Sequence, residues 1–459
     1  MEQEPKQLGE LLPRIVVEPP GPRSRQLAER LSRHESPAAS GIKKGDIPVF
    51  WERGRGANIV DVDGNVYVDM VGGFAVTVAG HSNPCIVEAI KQQSEKLLHS
   101  MGVLHPNVPR VELAEKLAEI TPGNLAVSHI ASTGGEAVDL ALKTARYYTG
   151  RHTVVAFHGG YHGKTWASLA VTAKNYAREP WQPLLVGAVH VPYANCYRCP
   201  FEASYPDCDV LCARYLEYVL SFPDSAVSDV AAVIAEPVQG VGGWIVPPPE
   251  FLRRVVEICH ERGILFIADE IITGFGRTGR LFGTEHSNVV PDILVLGKGL
   301  ACGFPISAMV TTREIAACWE SEQHTSTFLG HPVGCAAALA SIKEIGDRGL
   351  VQKSRELGSY FKGALEEMKG RHVFLGDVRG LGLMVAMELV KDKQTKEPAP
   401  EAATQVVATA LRRGLMATLR GGPYGNCIRM APPLTITREQ LEFAVKTLDE
   451  SLTEVESSL

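Results

Sequence analysis

Five short, mainly apolar strand candidates constrain this chain more than any other feature. They are Leu125 to Ala131, Thr153 to Phe157, Ala231 to Ala235, Ile264 to Ala268 and Ile293 to Leu296. Helix-period stretches lie between several of them, among them Glu136 to Tyr148 and EFLRRVVEICHERG. A strand apolar on both faces has to be covered on both faces, so the pattern predicts a mainly parallel sheet wrapped by helices. Each run ends in a polar or glycine-rich cluster: Ser132-Thr133-Gly134-Gly135-Glu136, His158-Gly159-Gly160-Tyr161-His162, Glu236, Asp269-Glu270 and Gly297-Lys298-Gly299. Ligands of open α/β sheets sit beyond the carboxyl ends of the strands, so the five clusters are expected to line one crevice.

The flanks have a different texture. Residues 1 to about 45 read as an extended, Pro-rich arm leading to a short charged helix. NIVDVDGNVYVDM places Asp63-Gly64 between two alternating apolar stretches, a hairpin signal. Beyond residue 340, helical patterns surround GLGLMVAMELV and end in REQLEFAVKTLDESL, which indicates a smaller α+β domain. The expected division is 1–75 for the arm and part of the small domain, 76–340 for a large ligand-binding domain, and 341–459 for the rest of the small domain.

Several function classes drop out on composition. With 46 Lys and Arg against 52 Asp and Glu, the net charge is −6, and no basic stripe is present to track nucleic acid. Apolar runs such as Ile293 to Leu296 fall far short of the ~20 residues that cross a bilayer. The opening residues contain acids and no apolar leader core, and ten cysteines in 459 residues are too few for a disulfide scaffold, so a cytoplasmic address is expected. Gly274-Phe275-Gly276-Arg277-Thr278-Gly279 matches a dinucleotide fingerprint, but it opens no helix. HGGYHGKT resembles a P-loop, but His158 stands where the first glycine is required.

The clusters have a chemistry in common. Lys298, bracketed by glycines at the end of a buried strand, is placed for desolvation, which lowers an amine's pKa and suits it to Schiff-base formation. Asp269, closing ILFIA, is a partly buried carboxylate in need of a cationic partner. These are the two groups pyridoxal phosphate asks of a protein: an amine for its aldehyde and an acid that keeps its ring nitrogen protonated. Thr133, Gly134 and Gly135 open a helix whose N–H groups suit a phosphate. Tyr161 and Ile271 are placed to cover the two faces of a ring.

On DVDGNVYVDM, GHSNP, STGGEA, GGYHGKT, AEPVQG, ADEIITGFGRTG, LGKGL, STFLGHP and IRMAPPL, the chain resembles the class III pyridoxal-phosphate aminotransferases of fold type I, from about Pro48 to the C-terminus. The resemblance implies an α/β fold, with a mostly parallel seven-stranded sheet in a large domain and a smaller α+β domain. It implies that Lys298 forms the internal aldimine, Asp269 pairs with the ring nitrogen, and Thr133, Gly134 and Gly135 hold the phosphate. Tyr161, His162, Glu236, Gln239 and Ile271 fall in the cofactor-binding motifs. Thr327 corresponds to a threonine that reaches the phosphate of a neighbouring subunit, which implies a homodimer with shared sites, or a tetramer built from such dimers. Arg429 matches the arginine that grips a substrate carboxylate, Glu236 the glutamate that neutralises it, and Phe74 and Lys164 fall in the substrate pocket. The implied partners are an amino donor, 4-aminobutyrate-like or an α-amino acid, and a 2-oxo acid acceptor such as 2-oxoglutarate or pyruvate.

Three positions depart from the common family pattern: Ser132-Thr133-Gly134-Gly135 in place of Asn-Ser-Gly-Ser, Ile272 in place of glutamine, and Lys164 in place of arginine. PRIVVEPPGP and the insertion around NCYRCPF also resemble a subgroup that contains amino-acid racemases and epimerases, so racemisation stands as the alternative activity. The insertion's Cys196, Cys199, Cys208 and Cys212 have spacings open to a structural zinc, to two disulfides or to free thiols. The other six, Cys85, Cys259, Cys302, Cys318, Cys335 and Cys427, read as small core residues.

Overall fold

The structure, a computed structural model, describes residues 7–39, 48–184 and 187–458. The first six residues and residues 40–47 of the N-terminal arm therefore lie outside the described residues. The chain divides into two compact units, one made of Pro84–Gly358 with Arg379–Met384, the other of Met1–Asn83, Ser359–Val378 and Val385–Leu459.

The larger unit is built on a seven-stranded sheet: β1 (Val127–Ala131), β2 (Thr153–Phe157), β3 (Ala188–Val191), β4 (Val230–Ala235), β5 (Leu265–Asp269), β6 (Ile293–Leu296) and β7 (Ser307–Thr311). Their spatial order is β1-β7-β6-β5-β4-β2-β3. All neighbours run parallel except β7, which is antiparallel to both β1 and β6. The apolar strands β2, β4, β5 and β6 are buried almost throughout, whereas β1, which carries Ser128 and His129, is half-buried over its first three residues. Val154, Ala232, Ile234, Ile267, Ile293 and Val295 pack beneath helix α1 (Gly134–Thr149), whose Ala137, Val138, Ala141 and Ala145 fill the same layer.

Two strands lie outside the five apolar runs. β3 reads AVHV and sits at an edge, where one half-covered face tolerates His190. β7 reads SAMVT, and its Ser307 and Thr311 look like turn residues. They are buried because their hydroxyls are satisfied, by the Thr133 carbonyl at 2.7 Å and the Asp292 carbonyl at 2.7 Å.

The smaller unit holds the hairpin. Asn58–Asp61 pairs antiparallel with Val66–Asp69, and Gly64 turns between them at φ 89°. The hairpin tip organises the arm. The Asp63 carboxylate accepts from the N–H groups of Arg23 and Ser24 at 2.7 and 3.0 Å, capping helix Pro22–Ser32. GLGLMVAMELV supplies only part of a second sheet. Leu375–Leu381, Met384–Leu389, Cys427–Met430 and Thr418–Gly421 form its four strands, and the turn at Gly382 (φ 53°) lies in the Arg379–Met384 stretch that groups with the larger unit. No helix among the described residues is long and apolar enough to cross a membrane.

The cysteine expectation needs one correction. Cys259, Cys335 and Cys427 are buried and Cys302 and Cys318 half-buried, but Cys85 is exposed. Its thiol bonds Glu344, which holds the thiol pKa above the ordinary value.

Candidate functional site

Ten of the sequence-predicted residues stand at the carboxyl ends of the larger unit's strands or in the turns that follow them. After β1 comes Thr133, the N-cap of α1, whose hydroxyl accepts from the Glu136 N–H at 3.3 Å and keeps its own proton to donate. The N–H groups of Gly134 and Gly135 have no intrahelical partner, because the first turn of any helix leaves its donors free. Space is tight there. A Cβ on Gly134 would meet Ile271 Cδ1 at 2.9 Å, and one on Gly135 would meet Thr165 at 3.2 Å. Glycine is required for close packing, and the result is a narrow cradle of donors beneath Ile271.

Asp269 closes β5. Its Oδ2 lies 2.7 Å from His162 Nδ1, and its Oδ1 accepts the Ile271 N–H at 3.1 Å. Both side chains are almost wholly buried. Burial alone pushes the imidazole down, but the hydrogen bond and charge of Asp269 outweigh it and hold His162 above the ordinary histidine range. The next residue, Glu270, takes a different course. It is fully buried and satisfied by Thr273 Oγ1, the Gly283 N–H and the Thr284 N–H at 2.6–2.8 Å. Of two adjacent acids, one is structural.

Glu236, ending β4, is tied to backbone on both oxygens, by the N–H of Tyr161 at 3.0 Å and of Gly240 at 2.8 Å. That holds the turns after β2 and β4 together, a role its sequence position does not announce. Burial, with the nearby Asp269 charge, raises its carboxyl pKa to about 7 against the opposing pull of His162. A folded pKa above the unfolded value means that protonation stabilises the fold. The contribution is present below about pH 4.5 and lost as pH rises through about 7. Stability measured by urea unfolding is therefore expected to fall across that window, and Glu236→Gln is expected to flatten the slope.

Gln239 is a brace: its Nε2 donates to the His158 carbonyl at 2.8 Å. Tyr161 is half-buried beside Glu236, whereas Lys164 is exposed with its Nζ 5.8 Å from the Tyr176 ring centre. Lys298 follows β6 through Gly297 and has φ 41°. Thr327 is exposed in a turn of the 321–330 segment.

Phe74 and Arg429 belong to the smaller unit. Arg429 is buried on strand Cys427–Met430, opposite Ala386, and Gly421 approaches so closely that a Cβ there would meet its Nε at 2.6 Å. Phe74 is 68% exposed. It lies in a left-handed turn, with φ of 58, 57, 64 and 62° from Gly72 to Ala75. Left-handed backbone costs a residue other than glycine about 1–2 kcal/mol. Replacing an exposed residue by glycine there gives back about 0.4–1 kcal/mol through the unfolded chain. Phe74→Gly is accordingly expected to stabilise the protein by about 0.5–1 kcal/mol, read as a higher urea midpoint with unchanged m-value.

Sequence reading missed Ser307, which braces the N-cap from β7, and the cluster of Asp139, Thr165 and Ser168 beside Gly135. The motif Gly-Lys-Thr flags Thr165, but nothing local flags Ser307 or Asp139.

The donor set fits pyridoxal phosphate. Helix N–H groups and a hydroxyl suit a phosphate. A buried carboxylate backed by an imidazole suits a cationic ring nitrogen. Glycines keep the cradle open, and a lysine terminates the adjacent strand.

A family model described as "Aminotransferase class-III" matches residues 40–452. The chain is 40% identical over 412 residues to an isoleucine 2-epimerase of Lentilactobacillus buchneri, covering 88% of this chain and 90% of that one. It is 39% identical over 439 residues to a 4-aminobutyrate aminotransferase of Mycobacterium leprae, covering 93% and 95%. Among solved structures it is similar to an amine transaminase from an uncultivated Pseudomonas species in its pyridoxal-phosphate-bound form, with a TM-score of 0.85, 33% identity and 92% and 98% coverage.

Proposed function

The chain belongs to the class III aminotransferases, which depend on pyridoxal phosphate, and from that premise we propose that it moves an amino group from an amino or ω-amino acid to a 2-oxo acid in two half-reactions, with Lys298 as its central group. The observation that carries this reading is the buried Asp269–His162 pair on the same strand edge as the Gly134–Gly135 cradle and Lys298. When bound, the cofactor supplies an aldehyde that captures amines and a cationic ring that takes up the electron pair left by a departing C–H proton. Gly134, Gly135 and Thr133 bind the phosphate. Asp269 holds the proton on the ring nitrogen, and His162 fixes the carboxylate's orientation from behind. Tyr161 and Ile271 cover the ring faces and exclude water, while Glu236 and Gln239 hold the Tyr161 turn in place. Lys298 Nζ would hold the cofactor's aldehyde carbon and is the base that would take the proton from the substrate carbon bearing nitrogen. Arg429 binds a substrate carboxylate, for which its planar fork is suited, and Phe74 and Lys164 shape the donor's far end. Thr327 reaches the phosphate of a second subunit.

A second reading is favoured by the identity to the isoleucine 2-epimerase: reprotonation of the same carbon from either face. One experiment separates the two. A panel of single amino acids is incubated with and without a 2-oxo acid, and both new amino acid and enantiomer are measured. Amino transfer requires the acceptor and yields its amino product, whereas racemisation proceeds with no acceptor at all. Enantiomer without any transfer overturns the first reading.

A further inference from the structure

The insertion's Cys196, Cys199, Cys208 and Cys212 are free thiols. Among the described residues no group of three or more His, Cys, Asp or Glu side chains comes together to hold a metal, so the structural zinc drops out. Two other motifs carry more. DVDGNVYVDM and GHSNP have no part in the proposed chemistry, yet their Asp69 and His81 meet inside the smaller unit. Asp69 closes strand Val66–Asp69, and His81 stands 12 residues later. Asp69 is wholly buried and His81 almost so, and Asp69 Oδ2 accepts from His81 Nε2 at 2.7 Å. The other oxygen, Oδ1, accepts the N–H groups of Val71 and Gly72 at 2.7 and 3.0 Å. His81 is itself pinned. Its backbone pairs with Gly56 in both directions, at 2.9 and 3.1 Å, and its ring stands edge-on to Trp51 with centres 5.6 Å apart. A buried carboxylate is costly even when its bonds are made, and an asparagine can bond the same turn without charge.

What the pair holds is the entry to the left-handed run Gly72–Ala75, which leaves Phe74 exposed. Backbone of that kind persists only where its surroundings over-determine it. Asp69 fixes the first two N–H groups of the turn. From the other side Gly72 abuts the carbonyl of Ala431, which a Cβ would meet at 2.5 Å. The Ala431 N–H donates to the Met70 carbonyl at 2.7 Å, and the Leu434 N–H to the Val78 carbonyl at 2.9 Å. Ala431 lies two residues past Arg429. The turn that carries Phe74 is therefore laced, before and after, to the segment that continues the Arg429 strand.

We propose that Asp69 and His81 are positioning residues for the amino donor. The pair locks the Phe74 turn against the segment following Arg429, so that the smaller unit offers the donor's carboxylate and its far end a preset spacing. The inference rests on the assignment of Phe74 and Arg429 to the donor pocket. A preset spacing selects among donors by the separation of their two ends, because a loose turn has to be ordered before it binds. Neither Asp69 nor His81 touches the reacting atoms. Loosening the turn therefore acts on donor binding and leaves the chemical step alone.

The test uses the holoenzyme with an amino donor that the unaltered protein accepts, its capture followed by the cofactor's absorbance, which serves amino transfer and racemisation alike. Asp69→Ala removes every bond of the carboxylate and should raise the donor KM about tenfold, with kcat held within about twofold. Asp69→Asn keeps an oxygen for Val71 and Gly72 and should recover most of that loss. His81→Ala leaves those two bonds in place and should raise KM about threefold; it carries the test if Asp69→Ala does not fold. Phe74→Ala is the reference. Because Asp69 acts through that turn, the double variant Asp69→Ala/Phe74→Ala should bind the donor no worse than Phe74→Ala alone. Amide hydrogen exchange from Val71 to Val76 should quicken in Asp69→Ala, a readout that needs no turnover. Effects that multiply in the double variant overturn the proposal, as does unchanged exchange. So does a fall in kcat and unfolding midpoint at constant KM, the mark of a merely structural pair. A KM raised by Phe74→Ala but not by Asp69→Ala or His81→Ala removes the pair alone, whereas a KM indifferent to Phe74→Ala removes the donor-pocket assignment and the pair with it.

Discussion

Lys298→Ala is expected to abolish turnover, with kcat reduced at least about 10⁴-fold, because a general base alone accounts for about 10²–10⁴ and, on the proposed mechanism, the same amine also anchors the cofactor. The local backbone supports a dedicated role. Lys298 follows strand Ile293–Leu296 and adopts φ 41°, a left-handed conformation that costs a side-chain-bearing residue about 1–2 kcal/mol. Strain of that kind persists where surrounding structure over-determines it, most often at functional sites. Here the constraint is visible: the Leu300 N–H bonds the Gly297 carbonyl at 2.9 Å, the Cys302 N–H bonds the Lys298 carbonyl at 3.2 Å, and Ser341 Oγ bonds the Gly299 carbonyl at 2.9 Å. The variant should therefore fold. Borohydride reduction followed by peptide mapping checks the claim: unaltered protein should yield a cofactor adduct on the peptide containing Lys298, and the variant none. An adduct on another lysine, or undiminished turnover in Lys298→Ala, removes the mechanism. Lys298→Arg makes a useful companion, since it keeps the charge but cannot give up its proton at working pH.

That lysine was legible in the sequence because burial and polarity conflict there: an apolar run cannot end in Gly-Lys-Gly without a reason. The same conflict exposed Asp269 and the glycines after Val127–Ala131, and the mainly apolar runs exposed the parallel sheet itself. What stayed hidden depended on partners far along the chain. His162 and Asp269 are 107 residues apart, and nothing near either announces their 2.7 Å contact. Strand Ser307–Thr311 looks like a turn until its hydroxyls find the carbonyls of Thr133 and Asp292. Asp269 and Glu270 are equal as letters. Only the neighbouring Gly283 and Thr284 N–H groups make Glu270 structural. Glu236 stands in a motif suggestive of substrate chemistry, yet both its oxygens hold loops. Local composition reports which side chains are in tension with their surroundings, and tertiary contacts then decide how each tension is resolved.

Asp269→Asn is the sharper test, because it keeps shape and burial while removing only charge. The asparagine side chain can still bond Ile271 and His162, so the fold and the cradle at Gly134 should survive. On the proposed mechanism, the buried negative charge that would face the ring nitrogen is lost. A neutral amide cannot hold that nitrogen's proton, and an uncharged ring is a weak sink for the electron pair released when the substrate C–H breaks. The rate of that step should fall about 10³-fold, within the range in which preorganised charge contributes to catalysis. A merely structural Asp269 predicts something else: lower stability, with kcat per folded molecule unchanged. Three readouts distinguish the cases. The half-reaction with an amino donor, followed by the cofactor's own absorbance, should slow while donor binding changes little. The pH dependence of that absorbance should shift, since the ring nitrogen has lost its counter-charge. His162→Phe should produce a smaller effect of the same sign, as the carboxylate stays but loses the imidazole that orients it at 2.7 Å. If Asp269→Asn slows nothing and only the unfolding midpoint moves, then the carboxylate serves His162 and the fold, and the ring nitrogen finds its proton without it.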